Sequence, residues 1–467
     1  MKCGDLKKLL NINYSLLIIL TSCSVSRQIA KQADAILLKD SSISTGFIGI
    51  SIYEPATGKY WYNYNATKYF TPASNTKLFS LYAGMKYLGD SLVGLRYQNN
   101  SDAEINIFPA ADPTFMHSDF KNQPILDFLK GIKKKINFSY SWNENALGYG
   151  WAWDDYNDDY MVERSSFPIY GNTVKLKYEG SQYSKDNLKI KWTTIPPFFN
   201  DYIDSIYTIP LNRRNSDSAI AKRRSMKFYA KRDLENNNIK LLPAVSDFST
   251  QEIPFHTRNI LTAKEILNKD FAIDIQQVRI EDLNIKLFPS EEIHVIHSQP
   301  TDSLFKPMMH RSDNFFAEQT LLMTSNERLG YMKDAAIIDT LLATDLKDMP
   351  QRPKWVDGSG LSRYNLFTPQ SFIYILNKMS NEFGLTRLKT ILPTGGEGTL
   401  KSWYKKDSSF IYAKTGTLSN NCALSGFLIT NSGKLLIFSI LANHYQTGAT
   451  PIRQATERFL TGLRKKY

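Results

Sequence analysis

Three short stretches of the chain carry residue types that do chemistry together: Ser74-Asn75-Thr76-Lys77, Ser312-Asp313-Asn314 and Lys414-Thr415-Gly416. Positions i and i+3 share one face of a helix, so the Ser74 hydroxyl and the Lys77 amine can exchange a proton across one turn. A protonated lysine cannot accept that proton. Burial and a second nearby cation, here Lys414, both favour the neutral amine and make Lys77 a candidate general base for a Ser74 nucleophile. Ser312 and Asn314, two apart at a break between helices, can both point into one cleft. The hydroxyl would relay a proton to a leaving nitrogen and the amide would hold a substrate carbonyl, while Asp313 between them suits a helix N-cap. On a third wall, Lys414 and Thr415 can pair with a substrate carboxylate and Gly416 leaves room for substrate along a strand. The backbone N–H of Thr417 can join that of Ser74 as an oxyanion hole. Together these groups are equipped for serine acyl transfer with an amine in place of a histidine.

Each motif alone is weak. Ser303-Leu304-Phe305-Lys306 also fits the first pattern, and Ser141-Trp142-Asn143 and Ser419-Asn420-Asn421 fit the second, whereas the third has the single match at 414. Context separates them. Thr71-Pro72 signals the start of a helix whose Leu78, Leu81, Tyr82, Met85 and Leu88 share a face and whose stop is Gly89, which puts Ser74 in its first turn. Ser303 and Lys306 lie too close to Ser312 to leave a separate nucleophile helix.

The elements that must position these groups come from both ends of the chain. Residues 47–52 alternate, residues 54–58 turn and Tyr60, Tyr62 and Tyr64 alternate again, the pattern of a hairpin. Residues 409–417, 423–430 and 435–443 read as strands, the last two joined through Asn431-Ser432-Gly433, and a helix closes the chain from about 451 to 463. Both ends then form one antiparallel sheet packed with helices. Ser312 lies 238 residues beyond Ser74, and from about 99 to 255 the pattern changes to short alternating segments such as 173–178, 188–192 and 225–229. The expected architecture is α+β: a catalytic domain from 46–98 and 257–467, with a helical subdomain and a β-rich insertion at 99–256.

With 467 residues and 42% apolar content the chain supports two or three domains. Its formal charge is +12, but the basic residues come in short clusters, such as 133–135, 213–214 and 223–224, without a nucleic-acid-binding motif. An anionic cell surface is the partner this charge fits, and no nucleic acid is expected. Lys2, Lys7 and Lys8 precede an apolar run around Leu16–Leu20 and then Thr21-Ser22-Cys23, which reads as an export signal over 1–22 with Cys23 as the acylated first residue of a lipid-anchored, extracytoplasmic protein. Residues 23–45 would form the anchor and linker. Ser24 follows the cysteine, and which membrane leaflet holds the protein stays open. Losing residues 1–22 leaves a charge of +10. Cys422 then stands alone as a small buried hydrophobe, so no disulfide is expected. The six histidines form no HExxH motif, and neither a metal nor a cofactor is expected.

Beyond the trio, residues 111–115 (Ala-Asp-Pro-Thr-Phe), 150–155 (Gly-Trp-Ala-Trp-Asp-Asp), 357–365 (Asp-Gly-Ser-Gly-Leu-Ser-Arg-Tyr-Asn), and Leu392-Pro393 with Gly398-Thr399-Leu400 complete a resemblance over nearly the whole mature chain. The sequence resembles the low-molecular-mass class C penicillin-binding proteins, the penicillin-binding protein 4 type of D-alanyl-D-alanine carboxypeptidase and endopeptidase. That resemblance implies a transpeptidase-like domain with domains inserted between the first two motifs, acylation of Ser74 by peptidoglycan stem peptides and inhibition by β-lactams. It departs from the family pattern at Ala110-Ala111, where glycines are usual. A β-lactamase shares the trio but not the long insertion. A non-catalytic wall-binding or β-lactam-sensing lipoprotein would not need every motif complete. The balance of carboxypeptidase and endopeptidase action, the stem's diamino acid and the oligomeric state stay open.

Overall fold

The computed structural model describes residues 25–140, 142, 144–183, 187–204, 206–208, 227–244, 249–279 and 293–467. The expected signal segment and Cys23 lie outside the described residues. No helix among those described is long and apolar enough to cross a membrane. The chain folds into two compact units, one made of Met1–Tyr82, Lys306–Ser312 and Thr340–Tyr467, the other of Ala83–Phe305 and Asp313–Asp339.

The first unit is built on a five-stranded antiparallel sheet. In chain order its strands are β1 (Phe47–Glu54), β2 (Lys59–Tyr64), β3 (Ile411–Leu418), β4 (Asn421–Ile429) and β5 (Leu435–Asn443), and their spatial order is β3-β4-β5-β1-β2. The two ends of the chain meet where β1 pairs with β5, Ile50 opposite Ile440. β4 and β5 are apolar almost throughout and buried on both faces, as central strands covered by helices must be. Helix α5 (Ala449–Lys466) lays Ile452, Ala455, Phe459 and Leu463 on one face of the sheet, and residues 25–38 pack Ile29, Ala33 and Leu37 into the same core. Helix α4 (Pro369–Phe383), capped by Thr368, buries Phe372 against Phe79 and Phe367. Ser74 lies in a short 3-10 turn, Ala73–Thr76, that runs into helix α1 (Lys77–Tyr87). The sequence expectation of one helix with Ser74 in its first turn differs from this only in the tighter winding of that turn. β3 is the edge strand of the sheet, and part of its backbone is already engaged there: the Ala413 N–H donates to the Pro393 carbonyl and the Lys414 carbonyl accepts from Asn75 Nδ2, each at 3.0 Å.

Among the described residues the second unit holds three sheets. Its largest has the order 275–279, 135–140, 104–109, 91–99, 294–300. Strand Ser91–Asn99 pairs with Glu104–Pro109 on one side and His294–Pro300 on the other. Both pairings lie within the second unit, which begins at Ala83. The alternating segments of the insertion form Thr173–Tyr183 and Asn187–Ile195, paired antiparallel, and Lys227–Arg232 with Ile239–Ala244. Their apolar sides join one core with Phe138, Phe167, Phe199 and Phe255.

The segment that lacks the usual glycines has a physical signature. Ala111 adopts φ 61°, a left-handed conformation that crowds its Cβ, and is held there because its N–H donates to the Ser166 carbonyl and its own carbonyl accepts from Gln319 Nε2, each at 2.9 Å. Ala111→Gly is expected to raise the unfolding free energy by about 1 kcal/mol, read as a higher urea midpoint at unchanged slope.

Candidate active site

Lys77 is fully buried, and its Nζ sits 2.9 Å from Ser74 Oγ and donates to the Ser359 carbonyl at 2.8 Å. The turn that presents Ser74 is strained on its upstream side, for Ala73 has φ 48°. Strain of this kind persists only where the surroundings over-determine it. Here Gly360 does so. Its φ is 82°, and a Cβ on it would come within 1.9 Å of the Ala73 carbonyl oxygen, so no other residue lets the 357–365 loop close on the nucleophile turn.

That loop is organised by the buried carboxylate of Asp357, which accepts from the N–H groups of Gly360 (2.8 Å) and Ser362 (2.6 Å) and from Asn365 Nδ2 (2.7 Å). Ser80 Oγ adds a bond to the Gly358 carbonyl at 2.6 Å. The turn delivers the Ser359 carbonyl that orients Lys77.

On the sheet side, Lys414 is fully buried and its Nζ donates to Ser312 Oγ and to the Thr415 carbonyl, both at 2.8 Å. Burial pushes its ionisation well below the ordinary lysine range, and the charges of Lys77 and Arg453 push it further. Ser312 itself adopts φ 64°, a second left-handed residue at the site. Asn75 Nδ2 donates to the Lys414 carbonyl at 3.0 Å and so fastens the nucleophile turn to β3. Gly416 has a packing reason of its own: a Cβ there would lie 2.5 Å from the Pro72 carbonyl oxygen and 3.1 Å from the Asn75 N, so the missing side chain makes room for the Ser74 turn. Ser74, Lys77, Ser312, Lys414, Thr415, Gly416 and Thr417 all belong to the first unit.

Asn314 opens helix α3 (Asn314–Leu329) in the second unit, where its Nδ2 donates to the Tyr160 carbonyl at 2.8 Å. Asp313 is the N-cap of that helix, its carboxylate accepting from the Phe316 N–H at 3.0 Å. The rival first motif falls in helix α2 (Thr301–His310), where Ser303 Oγ is turned back to the Pro300 carbonyl. Among the described residues no group of three or more His, Cys, Asp or Glu side chains is arranged to hold a metal ion.

A sequence profile of the D-Ala-D-Ala carboxypeptidase 3 (S13) family matches residues 29–463. The chain belongs to this family. Among S13-like relatives, a D-alanyl-D-alanine carboxypeptidase DacB of Haemophilus influenzae is 24% identical over 426 residues, 83% of each protein. A penicillin-sensitive carboxypeptidase A of Dictyostelium discoideum is 23% identical, covering 89% of this chain and 86% of that one. A carboxypeptidase DacB of Mycolicibacterium smegmatis aligns over 191 residues at 29% identity, and there the chain spans 41% of the relative's length. The crystal structure of penicillin binding protein 4 from H. influenzae superposes with a TM-score of 0.70 at 18% identity, over 94% of this chain and 99% of that one. The same protein complexed with a β-lactam gives 0.66. The fold of this S13 member is thus α+β and transpeptidase/β-lactamase-like, as the sequence predicts.

Proposed function

We infer that the protein is a serine-type DD-peptidase that cleaves the D-Ala-D-Ala bond of peptidoglycan stem peptides, or D-alanyl cross-links, through an acyl-enzyme on Ser74. The observation that carries this reading is the 2.9 Å approach of Lys77 Nζ to Ser74 Oγ in a fully buried setting. Ser74 Oγ attacks the carbonyl between the last two residues and passes its proton to Lys77. The N–H groups of Ser74 and Thr417 receive the oxyanion. As the intermediate collapses, the leaving nitrogen takes a proton through Ser312, whose hydroxyl is bonded to Lys414. Water then attacks the ester, returning the Ser74 hydroxyl and a shortened peptide. β-Lactams acylate the same serine. The lipobox-like Cys23 supports a lipid-anchored protein outside the cytoplasm, working on the wall.

Incubating the purified protein with intact muropeptides and identifying products by mass tests this reading. Release of D-alanine from pentapeptides, or of monomers from cross-linked dimers, is expected. Turnover of nitrocefin without either product would replace the reading by a β-lactamase. The Asp357 hub gives a further check. Asp357→Ala frees three donors and lets the Ser359 carbonyl drift from Lys77, so acylation by a fluorescent penicillin is expected to slow by about 10²-fold. The rate of labelling, taken with the melting temperature, reads it out.

A further inference from the structure

A substrate that ends in D-alanine brings a free carboxylate, and Lys414 is badly placed to pair with it. It is wholly buried, its ammonium is committed to Ser312 and to a backbone carbonyl, and its surroundings favour the neutral amine. A second cation stands at the same strand. Arg453, near the start of α5, donates from Nη2 to Thr417 Oγ1 at 2.6 Å. Along β3 the side chains alternate: Lys414 and Gly416 face the Ser74 turn, while Thr415 and Thr417 fall on the opposite side with α5. Thr415 and Arg453 line one cavity there. Because β3 is the sheet's edge, a group lying along it can be reached from the α5 side as well as from the Ser74 side.

Arginines shielded from solvent in this protein commonly pair with a carboxylate, as the buried Arg164 and Arg232 and the half-buried Arg96 and Arg464 do. Among the described residues no carboxylate lies within ion-pairing distance of Arg453, although it is half-buried. A guanidinium remains charged wherever it sits and presents five donors in a flat fork, and here its partners are the Thr417 hydroxyl and the buried Cys422 thiol, both uncharged acceptors. An anion arriving at the β3 edge would complete it.

We propose that Arg453 is the receptor for the free carboxylate of the departing D-alanine, anchored by Thr417 and acting beside the Thr415 and Thr417 hydroxyls. The inference rests on the DD-peptidase reading and sharpens it: the preferred substrates are those whose leaving residue carries an unblocked carboxylate, and neutral C-terminal amides are poor ones.

The test compares diacetyl-L-Lys-D-Ala-D-Ala with its C-terminal amide in the wild type, Arg453→Ala and Arg453→Gln. The glutamine keeps a donor for Thr417 without the charge. The wild type should favour the acid by about 10- to 100-fold in kcat/KM, the range of one charge-assisted hydrogen bond. Both variants should bring the preference close to unity, through a raised KM for the acid. Equal losses on acid and amide, or restoration by glutamine, would make Arg453 a brace for Thr417 and overturn the proposal, and so would a preference that survives in both variants. Acylation by benzylpenicillin and by its methyl ester, measured in the same proteins, separates this failure from that of the functional reading. An acid preference in acylation that disappears in the variants, without any D-alanine release, keeps Arg453 as the anion receptor and removes the peptidase activity. No acylation by either compound overturns both.

Discussion

Ser74→Ala is expected to abolish the penicillin adduct and to lower kcat for D-alanine release by about 10⁶-fold, the scale seen when a serine hydrolase loses its nucleophile. The geometry makes this a clean deletion. Ser74 is half-buried, its hydroxyl is within reach of Lys77, and the turn around it is fixed by other groups: Gly360 against Ala73, Gly416 against Pro72, and Asn75 on the Lys414 carbonyl. Lys77 keeps its bond to the Ser359 carbonyl when the hydroxyl is gone. The loss is therefore chemical, with the unfolding free energy changed by no more than about 1 kcal/mol. Intact-protein mass after exposure to benzylpenicillin, alongside a urea titration, reads both quantities. An adduct that persists in the variant would move the nucleophile elsewhere, and Ser312 is the hydroxyl to examine next because it is bonded to the other buried lysine.

What could be read from the sequence divides along the range of the interactions involved. Strand alternation, the Asn431-Ser432-Gly433 turn and the Asp313 cap are local, and each left its mark within a few residues. So did the i, i+3 pairing of Ser74 and Lys77, since one turn of helix fixes it. The pairing of Ser91–Asn99 with Glu104–Pro109 crosses only a short turn, but its pairing with His294–Pro300 joins strands far apart in the chain, which no local pattern announces. Asp357 was visible as part of a resemblance, but the hydrogen bonds it accepts from Gly360, Ser362 and Asn365 and the carbonyl they aim at Lys77 follow from loop closure in space. Arg453 gave no signal. An arginine near the start of an amphipathic helix looks like a solvated residue until the helix is laid on the sheet and its partner proves to be Thr417. The glycine of the third motif was legible as a requirement for space, and what fills that space was not.

Lys77→Met carries the second large effect, and it separates two roles that one buried lysine plays. Methionine has a similar length and no charge, so it fills the same slot among Ser74, Ser359 and the helix core while removing the proton acceptor. Acylation of Ser74 is expected to fall by about 10⁴-fold, the upper range for a lost general base. The effect on stability runs the other way, because a fully buried lysine is costly to keep. Lys414 reports this through pH. Its ionisation in the folded protein lies below the unfolded value of 10.5, chiefly through burial and then through the charges of Lys77 and Arg453. The unfolded chain thus binds the Lys414 proton more readily than the folded one, and in the window below 10.5 this group makes stability rise with pH and decline as pH falls toward its folded ionisation. Without Lys77, the second of those causes is gone, Lys414 ionises closer to its ordinary value, and the window narrows. Urea unfolding of the two proteins across the alkaline range should therefore show a weaker rise of stability with pH in Lys77→Met than in the wild type. An unchanged slope would mean that the two ammonium groups do not sense each other, and Lys414 would no longer help explain how Lys77 comes to act as a base.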